Sequence, residues 1–336
     1  MKAVRFSKFG RASDVAELVD IPEPDAPGAG QILFELQVAP INPADLLHFA
    51  GRYATPAPLP SYAGGGVFGR VAATGPGVTH LKAGDRVIVL DTNRCGWRER
   101  FTCSADGLIA LPDADPVALA LLAANPPSAM LMLERFGDLQ AGDWVIQNAA
   151  NSSVGVSLIQ IAKAKGLHTV NLVRRENMAA SLQAFGADVV LVDGADLRER
   201  VRNATQGAQI KVAIDAIAGD ATRRLAACVA DGGVVVNYGL MSGKPCEVDS
   251  ADVLFRDVAL RGFWYSAWRM RALPQEAGEL FARLVAMLKA GTLRVPVEAT
   301  YPIGRLSDAL AHAQREGRSG KIVLRWDENQ GSSRKQ

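Results

Sequence analysis

The chain has few of the residues that mark metal-binding, disulfide-linked or membrane proteins. Its 336 residues include only four cysteines and four histidines, and neither type shows the close spacing of a zinc site or of a disulfide framework. No apolar run reaches the roughly 18 residues that a membrane span requires. We therefore expect no metal site and no membrane segment.

The net charge is also low, which argues against proteins that bind nucleic acid or anionic membranes. The net charge is +2 at pH 7, so there is no electrostatic reason to expect nucleic acid or an anionic membrane as a partner. The first residues enter a strand-like pattern directly, without the apolar core of a secretory signal or an Arg/Ser-rich transit segment. We expect a cytoplasmic protein with neither nucleic acid nor a membrane as partner, which leaves a small-molecule substrate as the partner to look for.

Residues 143–176 show the pattern strand, turn, helix, strand. Residues 144–146 form a short apolar run, typical of a strand that is buried on both faces. Small polar residues fill 148–153, and from Val154 onward apolar residues recur with helical spacing before the next strand, 168–173. Such a βαβ unit places the N–H groups of a helix start beyond the carboxyl end of a strand, where phosphate binds.

The second strand of this unit ends in two basic residues, Arg174 and Arg175, roughly 20 residues past Gly155. NAD-binding units have an acid here for the ribose 2′-OH, whereas a basic residue suits a 2′-phosphate. The sequence therefore predicts NADPH. Two arginines can also be merely solvated, and the glycine motif is degenerate, with Ser152 and Ser153 where glycines are common.

The whole chain divides into three segments and predicts an α/β fold. Residues 1–119 show short alternating strands broken by Gly and Pro, typical of a partly open β-barrel. Residues 120–265 alternate strands and helices, and their six strand patterns match a doubly wound Rossmann-type domain. Residues 266–336 return to another pattern. Their last strand, 320–326, is expected to rejoin the first sheet, which makes the barrel domain discontinuous.

Three further places are candidates for a site. Doubly wound sheets bind ligands at the carboxyl ends of their strands, so the residues after the fifth and sixth strand patterns, 238–241 and 263–265, are candidates for one cleft. Tyr53 lies on a loop bounded by Gly and Pro, and such loops often carry chemistry. A structural role, with the hydroxyl anchoring the loop, is the alternative for Tyr53. Asn125 could equally cap a helix.

Several stretches resemble the medium-chain dehydrogenase/reductase superfamily, and within it the mitochondrial-type trans-2-enoyl-thioester reductases. The most specific are the QNAANS turn at 147–152 and the RGFW strand end at 261–264. The resemblance spans nearly the full length and implies a zinc-free enzyme with a GroES-like catalytic domain, a Rossmann domain and a homodimeric assembly. The other matching stretches are 41–45, 51–53, 84–88 and Gly320-Lys321.

The resemblance also implies roles for individual residues. It implies that Tyr53 is the proton donor in the reduction that the enzyme catalyses. This chain departs from the family at Phe68, where a glutamate is common, and at Ser153, where glycine is usual. Together with Gly155, the expected cofactor-binding residues are Asn125, Asn151, Ser152, Ser153, Val154, Arg174, Arg175, Tyr238, Gly239, Met241, Phe263, Trp264, Tyr265 and Lys321.

The expected chemistry follows from the absence of a metal ligand set. Without a metal to polarise it, the hydride acceptor must be strongly polarised by its own structure. A C=C bond conjugated with a carbonyl group, as in an enoyl thioester, meets this requirement. Hydride then goes to Cβ, and a phenol within about 3 Å can protonate Cα or hydrogen-bond the carbonyl oxygen. The leading hypothesis is an NADPH-dependent enoyl-thioester reductase. An NADPH:quinone or enone oxidoreductase is the first alternative, and a non-catalytic NADPH-binding redox sensor is the second.

Overall fold

A computed structural model describes residues 1–54, 56–90 and 96–326. The chain forms two compact units, which we call the barrel unit and the Rossmann unit. The barrel unit comprises Met1–Ala124, Ala272–Lys289 and the residues from Val295 onward, and the Rossmann unit comprises Asn125–Arg271 and Ala290–Arg294. The sequence placed the boundaries at 119/120 and 265/266, a few residues before those of the structure.

Strands of both units are numbered along the chain within the described residues. They are β1 Lys2–Phe6, β2 Glu17–Asp20, β3 Gln31–Pro40, β4 Ser61–Tyr62, β5 Val67–Thr74, β6 Arg86–Val89, β7 Arg100–Ser104, β8 Trp144–Gln147, β9 His168–Val173, β10 Val189–Val192, β11 Ile210–Asp215, β12 Val234–Asn237, β13 Ala259–Gly262, β14 Val297–Pro302 and β15 Lys321–Arg325.

Helices are numbered in the same way. They are α1 Ala12–Val15, α2 Pro43–Phe49, α3 Pro116–Leu121, α4 Asn125–Arg135, α5 Ser153–Ala164, α6 Ala179–Gln183, α7 Leu197–Ala204, α8 Asp220–Cys228, α9 Ser250–Arg256, α10 Tyr265–Arg269, α11 Pro274–Lys289 and α12 Leu306–Ala313. Among these described helices, none combines the length and apolar character needed to cross a bilayer.

The barrel unit is built around β3, whose buried and partly exposed residues alternate along most of its length. Alternation of this kind places one face of a strand in the core. The main sheet has the order β14-β15-β3-β5-β6, with β7 also paired to β3, and a second sheet has the order β2-β1-β4. β15 pairs antiparallel with β3, which confirms that the last strand pattern rejoins the first sheet.

The Rossmann unit contains a six-stranded sheet with the order β10-β9-β8-β11-β12-β13. All of its neighbouring strands are parallel. Short apolar strands suit this position because helices cover both faces of such a sheet. The strand order reverses direction beside β8, and ligands bind outside the carboxyl ends of the strands at such a point. The predicted doubly wound sheet is confirmed.

A short return of the chain, Ala290–Arg294, belongs to the Rossmann unit, which no sequence pattern predicted. The side chain of Gln160 donates to the carbonyl oxygen of Arg294 over 2.9 Å and accepts from its N–H over 2.9 Å. Leu293 is buried beside this pair. The Arg294 guanidinium lies 5.2 Å from the ring centroid of Phe185. The two Gln160 bonds fix the segment on α5.

Candidate cofactor site

The turn between β8 and α5 brings the start of the helix close to the strand end. Ser152 caps α5, and its hydroxyl accepts a hydrogen bond from the N–H of Gly155 over 3.1 Å. Gly155 is buried and packs on the backbone of Ala150, which leaves no room for a Cβ. Asn151, Ser152 and Ser153 are half-buried. The turn can therefore present polar side chains and helix N–H groups to an anion.

Ser153 departs from the glycine that the resemblance predicts, and the structure accommodates it. Ser153 is the first residue of α5, and its carbonyl oxygen accepts a hydrogen bond from Ser157 Oγ over 2.7 Å. The helix start is thus regular with serine here.

Arg174 and Arg175 follow directly after β9 and are exposed. β9 pairs in parallel with β8, so the arginines and the turn after β8 lie at the same edge of the sheet. The Arg175 side chain makes no hydrogen bond or ion pair with any described residue. The pair is therefore placed where a basic residue could meet a 2′-phosphate.

The loop after β12 contacts the same turn. The Tyr238 hydroxyl hydrogen-bonds Ser152, and burial raises the pKa of Tyr238 above its ordinary value, which that hydrogen bond partly offsets. Gly239 approaches the carbonyl oxygen of Ala216, where a Cβ would come within 2.3 Å. Met241 is 64% exposed. The loop therefore contacts the turn through a polar side chain and exposes an apolar one beside it.

The segment after β13 supplies aromatic side chains to this edge. The N–H of Phe263 donates to Asn237 O over 2.8 Å, which continues the strand pairing. Trp264 is 45% exposed. Tyr265 stacks on Trp268 with ring centroids 5.8 Å apart. Its hydroxyl is buried without a hydrogen-bond partner among the described residues, and burial raises the pKa of Tyr265.

Tyr53 lies in the barrel unit, on the loop after α2, and is half-buried. This helix begins with a reciprocal cap, in which Asp45 accepts from the N–H of Asn42 over 2.8 Å. The other Asp45 oxygen accepts from the N–H of Gly65, also over 2.8 Å. After the helix, the N–H of Arg52 donates to Leu47 O over 2.9 Å. The loop is therefore anchored at the residue before Tyr53.

Lys321 is also in the barrel unit, at the start of β15, and is buried. Its ammonium donates to Asn42 Oδ1 over 2.5 Å and to Ile41 O over 3.3 Å. Burial lowers the pKa of Lys321 to about 7, and the nearby Asp45 carboxyl opposes that effect. In this structure the side chain therefore ties β15 to the beginning of α2. Its predicted contact with the cofactor stays a prediction.

The structure brings most of the predicted cofactor residues to one edge of one sheet. The turn after β8, the arginines after β9 and the segments after β12 and β13 all follow carboxyl ends of parallel strands. Asn125 is the first residue of α4 in the same unit. Trp97 of the barrel unit, by contrast, is fully buried and packs on Phe49, with ring centroids 6.1 Å apart.

The sequence patterns did not reveal a buried polar cluster beneath this edge. Asp215, the last residue of β11, is fully buried and accepts hydrogen bonds from the neighbouring strand ends. The available signal was a lone acid at the end of the apolar run 212–216. In a parallel sheet that position faces the ligand-binding edge.

Two family models match the chain, in line with this architecture. The alcohol dehydrogenase GroES-like domain matches residues 28–113, and the zinc-binding dehydrogenase model matches residues 153–283. The chain belongs to the medium-chain dehydrogenase/reductase superfamily. It is an oxidoreductase, and reductases of this family bind a nicotinamide cofactor.

Individual relatives and solved structures are similar to this chain over nearly its full length. The mitochondrial enoyl-[acyl-carrier-protein] reductase of Homo sapiens is 33% identical over 329 residues, covering 96% of this chain and 88% of the relative. The Dictyostelium discoideum enzyme of the same name is 31% identical, covering 96% and 94%. The solved structure of a mycobacterial quinone oxidoreductase has a TM-score of 0.85 at 26% identity, covering 97% of this chain and 99% of that chain.

One of the two family models is named for zinc, and the described residues do not fit that ion. Within 1–54, 56–90 and 96–326, no three His, Cys, Asp or Glu side chains gather in a way that could hold a metal. Cys95 lies outside the described residues. The described residues therefore offer no set of ligands for a metal-dependent step.

Proposed function

We propose that this protein reduces the C=C bond of trans-2-enoyl thioesters with NADPH. One observation carries the proposal. Residues 148–153, which we call the phosphate turn, follow β8 and lead into the capped start of α5, and the exposed arginine pair follows the neighbouring parallel strand β9. The turn and the arginines therefore lie at the same end of the sheet. The enoyl reductases among the relatives, at 33% identity over 96% of this chain, support the thioester as acceptor.

The choice of NADPH over NADH rests on Arg174 and Arg175. Guanidinium groups bind phosphate through charge-assisted, often bidentate hydrogen bonds. Both arginines are exposed at the strand end where an NAD-binding unit would have an acid. The phosphate turn would hold the pyrophosphate through Ser152, Ser153 and the N–H groups at the start of α5. A bound reduced nicotinamide supplies the hydride that goes to Cβ of the acceptor.

Tyr53 is proposed as the acid. A phenol keeps its proton at neutral pH, so it can protonate Cα or donate a hydrogen bond to the carbonyl oxygen, where negative charge develops. The anchoring of its loop through Arg52 and the capped helix α2 favours a fixed position for the hydroxyl. A fixed donor is more effective because it needs no reorganisation during the reaction.

The acceptor is proposed to be apolar beyond its thioester group. Leu240 and Met241 are 60% and 64% exposed, and Trp264 is 45% exposed. These residues follow β12 and β13 at the edge that carries the phosphate turn. Large apolar side chains exposed together mark binding surfaces, and an acyl chain would bury them.

Stopped-flow measurement of NADPH oxidation with crotonyl-CoA and with longer enoyl-CoAs tests the proposal. We expect turnover with the enoyl-CoAs that requires NADPH and leaves the corresponding acyl-CoA as product. Oxidation of NADPH by quinones, together with no turnover of any enoyl-CoA, would show that the assigned acceptor is wrong.

The second candidate is an NADPH:quinone or enone oxidoreductase. The similarity to a mycobacterial quinone oxidoreductase over 97% of this chain favours it. Such a reaction needs hydride delivery and an apolar surface, but no proton donor placed at Cα. Replacement of Tyr53 by phenylalanine should then leave the rate nearly unchanged, which separates the two candidates.

We also propose that the protein forms a homodimer through β13, the outermost strand of the Rossmann sheet. Within the described chain the sheet ends at β13, which leaves one side of that strand open for pairing. Leu260 on β13 is 43% exposed, and Leu254 and Phe255 on α9 are 73% and 83% exposed. Sedimentation velocity should show a dimer for the wild type and a monomer for Leu260→Lys with Phe255→Lys. A wild-type monomer would refute this assembly.

A further inference from the structure

A buried carboxyl group lies beneath the cofactor edge of the Rossmann unit. Asp215 is 0% exposed and ends β11, which lies between β8 and β12 in the sheet. No described lysine or arginine forms an ion pair with it. A buried acid without a cation is costly unless its oxygens accept several hydrogen bonds. The positions of its donors therefore show which parts of the chain it holds.

One carboxyl oxygen, Oδ1, holds the start of the phosphate turn. Asn148 Nδ2 donates to it over 2.6 Å, and the N–H groups of Ile217 and Ala218 donate over 2.9 and 3.1 Å. Asn148 Oδ1 in turn accepts from the N–H of Ala216 over 2.8 Å. Asn148 is the first residue after β8 and is 1% exposed. Its buried side chain therefore connects the turn to the end of β11.

The other oxygen, Oδ2, holds the neighbouring strand and helix. Asn237 Nδ2 donates to it over 3.2 Å, and the same amide donates to Gly239 O over 3.1 Å, in the loop after β12. Thr222 Oγ1 donates over 2.6 Å from α8. The Tyr238 N–H adds a bond to the Asp215 carbonyl oxygen over 2.9 Å. The carboxyl group therefore connects both loops that carry proposed cofactor contacts.

We propose, on the basis of the proposed cofactor site, that Asp215 is a positioning residue that holds the phosphate turn and the loop after β12 in their binding shape without touching the cofactor. Asn148 transmits its effect to the turn, and Asn237 transmits it to the loop with Tyr238 and Gly239. The Tyr238–Ser152 hydrogen bond closes the connection between the two loops. Loss of Asn148 should therefore weaken NADPH and NADH alike, since neither loop contacts the 2′-position.

The chain offers a matched pair of variants. Asn148 and Thr222 both donate to the Asp215 carboxyl over 2.6 Å, and both side chains are buried, but only Asn148 belongs to the turn. Asn148→Leu and Thr222→Val each remove the donor at similar size. Dissociation constants for NADPH and NADH, from the fluorescence of the reduced nicotinamide, are compared with thermal midpoints of the cofactor-free protein.

We expect Asn148→Leu to weaken both cofactors by about tenfold or more, since a hydrogen bond to a charged group is among the stronger ones. Thr222→Val should change both dissociation constants by less than about twofold, although it should lower the thermal midpoint about as much as Asn148→Leu does. Equal effects of the two variants on affinity, or none for Asn148→Leu, would overturn the positioning role. Wild-type protein that binds neither cofactor would instead contradict the proposed function.

Asp215→Asn gives a second test that keeps the shape of the side chain. Its amide nitrogen would face a donor on one side, so either the turn or the loop must lose its bond. We expect weaker binding of both cofactors with the Michaelis constant for crotonyl-CoA unchanged. Asp215→Glu should restore part of the affinity. If neither variant alters cofactor affinity in folded protein, the assignment is wrong.

Discussion

Gly155 and Ala150 approach so closely at the phosphate turn that a Cβ added to Gly155 would lie 2.4 Å from Ala150 O. Gly155 has no left-handed backbone angle, so its requirement is one of space alone. The single glycine that remains of the degenerate motif is therefore the one that the packing of the start of α5 on the preceding turn requires.

Gly155→Ala should displace the start of α5 and weaken cofactor binding, at a stability cost of about 1–3 kcal/mol, typical of overpacking. Gly278→Ala is the matched control, because Gly278 also lies in a helix, α11, with nothing within 4 Å of its Cβ position. That change should stabilise the protein by roughly 0.5–1 kcal/mol with unchanged affinity. Calorimetry and NADPH titration measure both, and equal affinity in Gly155→Ala would contradict the packing argument.

Arg174→Ala combined with Arg175→Ala should raise the dissociation constant for NADPH by at least about tenfold and leave that for NADH nearly unchanged, since only NADPH has a 2′-phosphate. Arg198→Ala with Arg202→Ala removes the same charge from exposed positions on α7. This control pair should affect neither cofactor. A parallel loss for NADPH and NADH would show that the arginines do not contact the 2′-phosphate.

Tyr53→Phe should lower kcat with enoyl-CoA by about 100-fold or more, the range expected for loss of general acid catalysis, while NADPH affinity stays unchanged. Tyr301→Phe is the control, since Tyr301 belongs to the same unit and its hydroxyl is 2.9 Å from His312 Nδ1. Single-turnover rates separate chemistry from binding. A Tyr53→Phe enzyme as fast as the Tyr301→Phe enzyme would exclude the phenol from the reaction.

Lys321 should make stability depend on pH. Burial lowers its pKa to about 7, below the value of about 10.4 for an unfolded lysine. The unfolded chain therefore binds more protons between these values, and stability rises with pH by up to about 1.4 kcal/mol per unit. Below pH 7 both states are protonated, and the full penalty persists.

Lys321→Met should remove this rise, although it also loses the bonds to Asn42 and Ile41 and is less stable overall. Urea unfolding at pH 7, 8 and 9 gives the slope of stability against pH for wild type and variant. Identical slopes would show that Lys321 does not titrate in this range in the folded protein.

Local patterns in the sequence determined much of the fold. The strand pattern 168–173 coincides with β9, the apolar run 144–146 lies within β8, and the helical spacing from Val154 lies within α5, because hydrophobic periodicity is a property of neighbouring residues. The basic pair after β9 and the Gly155 turn were likewise visible. A helix near Asn125 was expected only as the alternative to a cofactor contact, with Asn125 as its cap. In the structure Asn125 is the first residue of α4, and Pro126 and Pro127 lie in its first turn, where proline is tolerated.

Only the tertiary structure decided the contacts between residues distant in sequence. Asn148 meets Asp215, Gln160 meets Arg294 and Lys321 meets Asn42, each across a sheet or a return of the chain. Periodicity shows that a position is buried but not which polar partner it finds there. The sequence by itself therefore determined the strands and the loops that hold the candidate residues. Folding decided which buried polar groups fix those loops, because each hydrogen bond needs two distant segments within about 3 Å.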